Sequence, residues 1–255
     1  MRGMRAVVTL GFVAFAACAT ADRGETIGHT DGGGIHPVDA PPGQPGVDAA
    51  PPVDSAPMVD APPGQTTVTL TQTTSNTLTP ANSVACPATT VGTAANTYYR
   101  VFDLPSLGIT GAFNVTSVSF QVEDCESVGS NGAPVAVRVG TYTGTTGGTT
   151  LQAGAITILA SNNAVQVPET TTGTQVDAPI SAVIPAGSKL VVEVDAPDGN
   201  NTYQFYIGTS NAGQSAPGYV SSPRCSPPGT TPTDVTTLVT PTAAIDMLLT
   251  VTGTH

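Results

Sequence analysis

Residues 66–255 predict an all-β domain, an antiparallel two-layer β-sandwich of jelly-roll-like type, following a disordered Pro-rich tether. Three observations carry this expectation. Apolar residues recur at every second position in short runs, and Gly-, Asn-, Asp- and Pro-rich turn sequence separates the runs. No segment shows an apolar stripe of period 3.6 and helical length. Composition agrees, with 28 Gly, 23 Pro, no Trp and only 10% charged residues, where roughly a quarter is usual.

From the N-terminus, Arg2 and Arg5 precede the apolar run Ala6–Ala17, and small residues follow. That is the layout of a secretory signal over residues 1–17. The run is about 12 residues, against the roughly 20 needed to span hydrocarbon as a helix. Two cleavage patterns overlap in "VAFAACATADRG". Ala19-Thr20-Ala21 would release a freely secreted chain beginning at Asp22. Phe15-Ala16-Ala17-Cys18 matches a bacterial lipobox except that Phe15 replaces the usual Leu, and it would make Cys18 the acylated N-terminus. Several acyl chains on Cys18 would form a stable membrane anchor.

Residues 18–65 carry no hydrophobic periodicity and contain the loose repeat "VDAPPGQPG", "VDAAPP", "VDSAPM", "VDAPPGQ". Proline fixes φ and removes backbone donors, so extended polyproline II is expected. Residues 38–65 would then reach on the order of 80 Å as a soluble spacer. A spacer directly behind Cys18 reads as a stalk, which favours lipidation over plain secretion.

The strands follow in order. Thr67–Leu70 and Tyr98–Leu104 open the domain. "TSVSFQVE" places Val118, Phe120 and Val122 on one face, and "PVAVRVGTY" does the same with Val135, Val137 and Val139. Ala155–Leu159 and Val176–Val183 come next. "KLVVEVD" sets Leu190, Val192 and Val194 against Val191, Glu193 and Asp195. Gln204–Ile207 and Ile245–Thr250 complete about nine short strands, each with one buried face. A domain of about 190 residues buries an adequate single core.

Charge and chemistry narrow the function. A formal net charge of −11 with seven Lys plus Arg argues against nucleic acid and against adsorption to anionic lipid by charge. His29 and His36 lie in the tether and His255 is the last residue given, so the strands offer no rigidly held imidazole for nucleophilic catalysis. Glu123, Asp124, Glu126, Glu193 and Asp195 could serve a carboxylate-dependent hydrolase, although solvated strand faces explain them more simply. His29, Asp31 and His36 could ligate a metal only loosely. In "VDAPDGNN", Asp195, Asp198, Asn200 and Asn201 gather oxygen donors of the kind Ca²⁺ favours, and ordinary hairpin chemistry competes. No other cofactor is implied. Tyr98, Tyr142, Tyr203 and Tyr219 are the candidate stacking platforms for carbohydrate. Of the adjacent pair Tyr98 and Tyr99, alternation sends one to the core.

With Cys18 acylated or removed, Cys86, Cys125 and Cys225 remain: one disulfide and one thiol, with Cys225 pairing either partner.

"NSVAC" (Asn82–Cys86), "NTYYRVFDL" (Asn96–Leu104), "FNVTSVSFQVE" (Phe113–Glu123), "IPAGSKLVVEVDAPDG" (Ile184–Gly199) and "FYIGTSNAGQSAPGYVSSPRC" (Phe205–Cys225) occur in this order. Together they resemble a β-sandwich accessory domain of secreted bacterial proteins, often appended to subtilisin-like proteases and other exoenzymes. The resemblance spans nearly all of Asn82–Gly253. It implies a Cys86–Cys225 disulfide with Cys125 as an extra thiol, and it transfers no catalytic residue. No enzyme domain is expected beside this one. Tether and lipobox resemble small surface lipoproteins of Gram-negative bacteria, in which Ala19 after the cysteine implies outer-membrane retention. The expected protein is a non-enzymatic surface lipoprotein that displays its sandwich for adhesion or for binding envelope or extracellular polysaccharide or protein. The alternative is a freely secreted carbohydrate- or matrix-binding module.

Overall fold

A computed structural model of the chain describes residues 64–88, 92–239 and 244–255. The signal segment, Cys18, almost all of the tether, and His29, Asp31 and His36 lie outside the described residues.

The described residues form two antiparallel sheets packed face to face. One sheet runs β1 (Thr67–Thr71), β13 (Leu249–Thr254), β3 (Phe113–Ser127) and β6 (Thr174–Ile184), with β8 (Tyr203–Ile207) pairing the far end of β3. The other runs β11 (Gly229–Asp234), β10 (Tyr219–Ser222), β2 (Asn96–Asp103), β7 (Lys189–Ala196), β4 (Ala133–Tyr142) and β5 (Ile156–Val167). A short ribbon pairs β9 (Thr209–Ser210) with β12 (Asp246–Met247). Among the described residues the only helical segments are single 3₁₀ turns at Pro105–Leu107, Ala153–Ala155 and Val235–Thr237. None is long enough to cross a membrane.

The alternation read from sequence sets the core. Val118, Phe120 and Val122 of β3, Val135, Val137 and Val139 of β4, and Leu190, Val192 and Val194 of β7 are all buried. Phe205 joins the layers, with its ring 6.3 Å from Tyr98 and 6.5 Å from Phe120. Burying each such side chain contributes about 1.5–3 kcal/mol.

Three expectations need correction. The central strands β2 and β7 are buried on both faces, because Tyr142, Leu151 and Tyr219 cover Tyr99, Val101 and Val191 in a second, outer cluster. The strand expected at 155–159 continues to Val167. As the edge of its sheet it needs little apolar content, so Ser161, Asn162 and Asn163 are accommodated. The last expected strand is two, interrupted at Leu248, whose carbonyl accepts from Gln121 N–H and whose N–H donates to Gly208.

Parity puts Arg100 on the core face with Tyr98 and Phe102, and it is fully buried. Its guanidinium donates to the carbonyls of Ala216 (2.7 Å) and Met247 (2.8 Å) and to Gln72 Oε1 (3.3 Å). It thereby fastens the Asn211–Gly218 segment to β2. Burial pushes its pKa down to about 10, against the opposing charges of Asp246 and Asp234.

The pairing register separates two poles. Thr66 exchanges backbone hydrogen bonds with His255 at 2.9 and 3.1 Å, and Thr67, Thr254, Asn114 and Val183 follow across the sheet. The tether therefore joins the domain at the pole where β3 begins. The other pole holds the end of β3, where Ser127 faces Tyr203. The 15 residues of β3 put roughly 45 Å between them.

Candidate functional site

Antiparallel pairing runs β3, β5 and β7 toward the far pole and β4, β6 and β8 away from it. Hence the β3–β4, β5–β6 and β7–β8 turns gather at the pole opposite the tether, with Gly92 beside them. They enclose a cleft of about 380 Å³ whose polar lining includes Glu126, Ser127, Glu169, Asn201, Tyr203 and Gln204.

Each wall is held by local chemistry. Ser127 Oγ accepts from the N–H groups of Asn131 and Gly132, both at 2.9 Å, and donates to Glu169. Glu169 also accepts from Gly132 N–H at 2.9 Å. These bonds, the Ser127 hydroxyl first, hold the Glu169 carboxyl below its ordinary range. Gly132 has φ +70°, and a Cβ there would run into the carbonyl of Val167, so the turn requires glycine. Gln204 Nε2 donates to Asp124 Oδ1 (2.9 Å) and Glu126 Oε2 (2.8 Å), tying two like charges together. Burial raises the Asp124 pKa, with the Glu126, Glu123 and Glu169 charges adding and the Gln204 bond opposing. The β7–β8 turn closes with Tyr203 N–H on the Gly199 carbonyl (2.9 Å) and docks by Val128 N–H on the Thr202 carbonyl (2.8 Å). Tyr203 is half-buried, and its hydroxyl donates to the Pro197 carbonyl at 2.8 Å. Burial, with Asp198 and Asp195 nearby, pushes its pKa up to about 12. The result is a rigid bowl of carboxylates, amides and hydroxyls beside one aromatic face.

Of the four expected stacking tyrosines, only Tyr203 borders the cleft. Tyr98, Tyr142 and Tyr219 are 0%, 2% and 1% exposed. Their hydroxyls donate to the carbonyls of Val84, Thr145 and Gly148, so backbone acceptors bring the rings inside. Tyr99 faces the outer cluster, 3.2 Å from Ser221 Oγ.

The oxygen donors proposed for calcium have other work. Asp195 accepts from Thr97 Oγ1 (2.8 Å) and Arg138 Nη2 (2.9 Å). Asp198 accepts from the N–H of Asn200 (3.1 Å) and from Arg224 Nη2 (3.0 Å). An Asx turn and two arginines thus engage the carboxylates of Asp195 and Asp198. Among the described residues no group of three or more His, Cys, Asp and Glu side chains is arranged to hold a metal ion.

The five carboxylates proposed for hydrolysis do not converge. Glu123 accepts from Ala81 and Ser83, Asp124 and Glu126 share Gln204, and Glu193 and Asp195 pair with Arg138 on the other sheet.

Cys86 and Cys225 are bonded, with Cα atoms 5.9 Å apart. Cys125 is a free, buried thiol whose pKa burial pushes up to about 11.

Glu169, Gln204 and Ser127 were not singled out from sequence. The turn sequences alone do not show which of them share a pole, and strand parity is the signal that would have found them.

No family model, no curated protein and no solved structure matches the chain.

Proposed function

We propose that this chain is a non-enzymatic surface lipoprotein, acylated at Cys18, whose sandwich binds a neutral polyhydroxylated polymer of the envelope or extracellular matrix in the cleft at its far pole. The observation that carries the reading is polarity. The chain enters the domain at Thr66, near one end of β3, and the cleft opens at the other end of that strand. Loops on a rigid sheet scaffold are the usual carriers of recognition. Carboxylates, amides and hydroxyls around one aromatic face suit hydroxyl-rich ligands.

Electrostatics supports a neutral partner over a polyanion. Among the described residues, Arg100 is buried, Arg138 and Arg224 are paired with carboxylates, and Lys189 Nζ donates to the Gly144 carbonyl at 2.7 Å. Little cationic surface is left to meet phosphate or sulfate.

Two measurements on the exported chain test the reading. Intact mass distinguishes an N-acyl-diacylglyceryl Cys18 from an unmodified chain beginning at Asp22, which is the freely secreted alternative. Binding to immobilised envelope polysaccharide should fall at least tenfold in the Glu126→Gln/Gln204→Ala double variant. Binding unchanged in that variant would remove the cleft from the account.

A further inference from the structure

A second concavity of about 380 Å³ lies on the outer face of the six-stranded sheet, lined by Pro134, Ala136, Arg138, Asn163, Asp195 and Pro197. Its floor is set by register. Thr97, Asp195 and Ala136 stand side by side across β2, β7 and β4, and Tyr99, Glu193 and Arg138 form the neighbouring row. Arg138 spans the rows, 2.9 Å from Asp195 Oδ2 and 3.5 Å from Glu193 Oε2. These contacts engage two of the five guanidinium N–H groups, and the side chain stays 29% exposed. Arg138 and Asp195 thus present a donor and an acceptor side by side, the arrangement that meets two adjacent hydroxyls. Pro134 and Pro197 add apolar walls for ring C–H surfaces, and the small Ala136 leaves room above the floor.

The two concavities are neighbours. Tyr203 lines the first and donates through its hydroxyl to Pro197, which walls the second. Likewise the β3–β4 turn supplies Ser127 to the first, and β4 beginning at Ala133 supplies Pro134 to the second. Tyr203 and Pro197, joined by that hydrogen bond, thus link the two concavities.

Resting on the binding function proposed above, we infer that the sheet-face concavity is a second subsite for the same ligand. That ligand is an extended neutral polysaccharide chain crossing Tyr203, and not a compact sugar or a single chain end. Arg138 and Asn163 donate to its hydroxyls and Asp195 accepts from them.

The test uses the full chain with neutral envelope polysaccharide, partially hydrolysed and separated into a short-oligomer and a long-oligomer pool. Calorimetry compares wild type, the sheet-face variants Asn163→Ala, Ala136→Trp and Arg138→Gln, and the end-cleft variant Glu126→Gln/Gln204→Ala. Native circular dichroism verifies each fold, and Asn163→Ala, on an exposed edge position, keeps the test open if Arg138→Gln does not fold. The expected result is that wild type prefers the long pool by about tenfold, that sheet-face variants lose this preference yet keep short-pool affinity, and that the end-cleft variant weakens both. Equal wild-type affinity for the two pools, or a long-pool preference retained in all folded sheet-face variants, would overturn the second subsite and leave the end cleft standing. An end-cleft variant that binds both pools like wild type, or a wild type that binds neither pool, would overturn both readings.

Discussion

Replacing Cys86 and Cys225 together by alanine should destabilise the domain by up to about 5 kcal/mol. The bond closes a loop with a sequence separation of 139, and the chain-entropy relation assigns about 5 kcal/mol to a loop of that length. Residual structure in the unfolded chain reduces the figure, so it is an upper bound. The loss should concentrate where the bond acts. Cys225 lies in the turn between β10 and β11, and β10 is paired with β2 over a short register of Tyr219↔Tyr99, Val220↔Tyr98 and Ser221↔Thr97. Cys86 sits just before β2, its N–H donating to Asn96 Oδ1 at 2.8 Å. Without the bond, β10 and β11 become the least protected part of the larger sheet, while β3, β4 and β7 keep their protection. Urea denaturation followed by circular dichroism measures the global term. For a domain of this size the melting temperature should fall by about 10–20 °C. Hydrogen exchange resolves the local term. A double variant within about 1 kcal/mol of wild type, with β10 and β11 as slow to exchange as before, would refute the reasoning.

Other predictions follow from individual side chains. Arg100→Met should cost about 2–4 kcal/mol by denaturant titration, since it strands the acceptors of Ala216, Met247 and Gln72, at about 1–3 kcal/mol for each buried unpaired group, while relieving the burial of a charge. Asp124→Asn should raise the melting temperature at neutral pH and make no difference under acid conditions. The folded-state pKa of Asp124 is raised, so its favourable contribution is present below the ordinary carboxylate pKa and is lost as pH rises through the elevated value. Melting curves against pH that run parallel for the two proteins would contradict this. Cys125 should resist iodoacetamide in the native protein at neutral pH and react once the protein is unfolded, because the thiol is buried and its pKa is near 11. The mass of the alkylated chain reports which state reacted.

Much of the architecture was legible because period-two alternation is a direct projection of the pleat. Val118, Phe120 and Val122 had to share a face, and they face the core. The double burial of β2 and β7 was written in "YYRVF" and "KLVVEV", which are nearly continuous apolar runs and lack clean alternation. What covers their outer face was not legible, because Tyr142, Leu151 and Tyr219 come from distant segments. Tyrosine misled for a related reason. A phenol offers both an apolar ring and a polar tip, and only the fold reveals that the carbonyls of Val84, Thr145 and Gly148 wait to receive three of those tips. The stretch "VDAPDGNN" carries calcium-type donors, yet Arg138 and Arg224, 57 and 26 residues from their partners Asp195 and Asp198, engage its carboxylates. The end cleft was half legible. Its turns could be found, and counting strand parity places them together, but the bond from Gln204 to Asp124 and Glu126 depends on β8 crossing to the end of β3.

The central claim is that recognition occurs at the pole away from the tether. Amide chemical-shift mapping of the isotopically labelled chain, titrated with neutral envelope polysaccharide, tests it most directly. The account predicts that shifts concentrate at residues 126–132, 169–173 and 199–204 and extend to the adjoining sheet face at 136–138, 163 and 195, with Thr66, Asn114 and His255 unmoved. Shifts confined to the tether pole, or no shift at saturating polysaccharide, would contradict it.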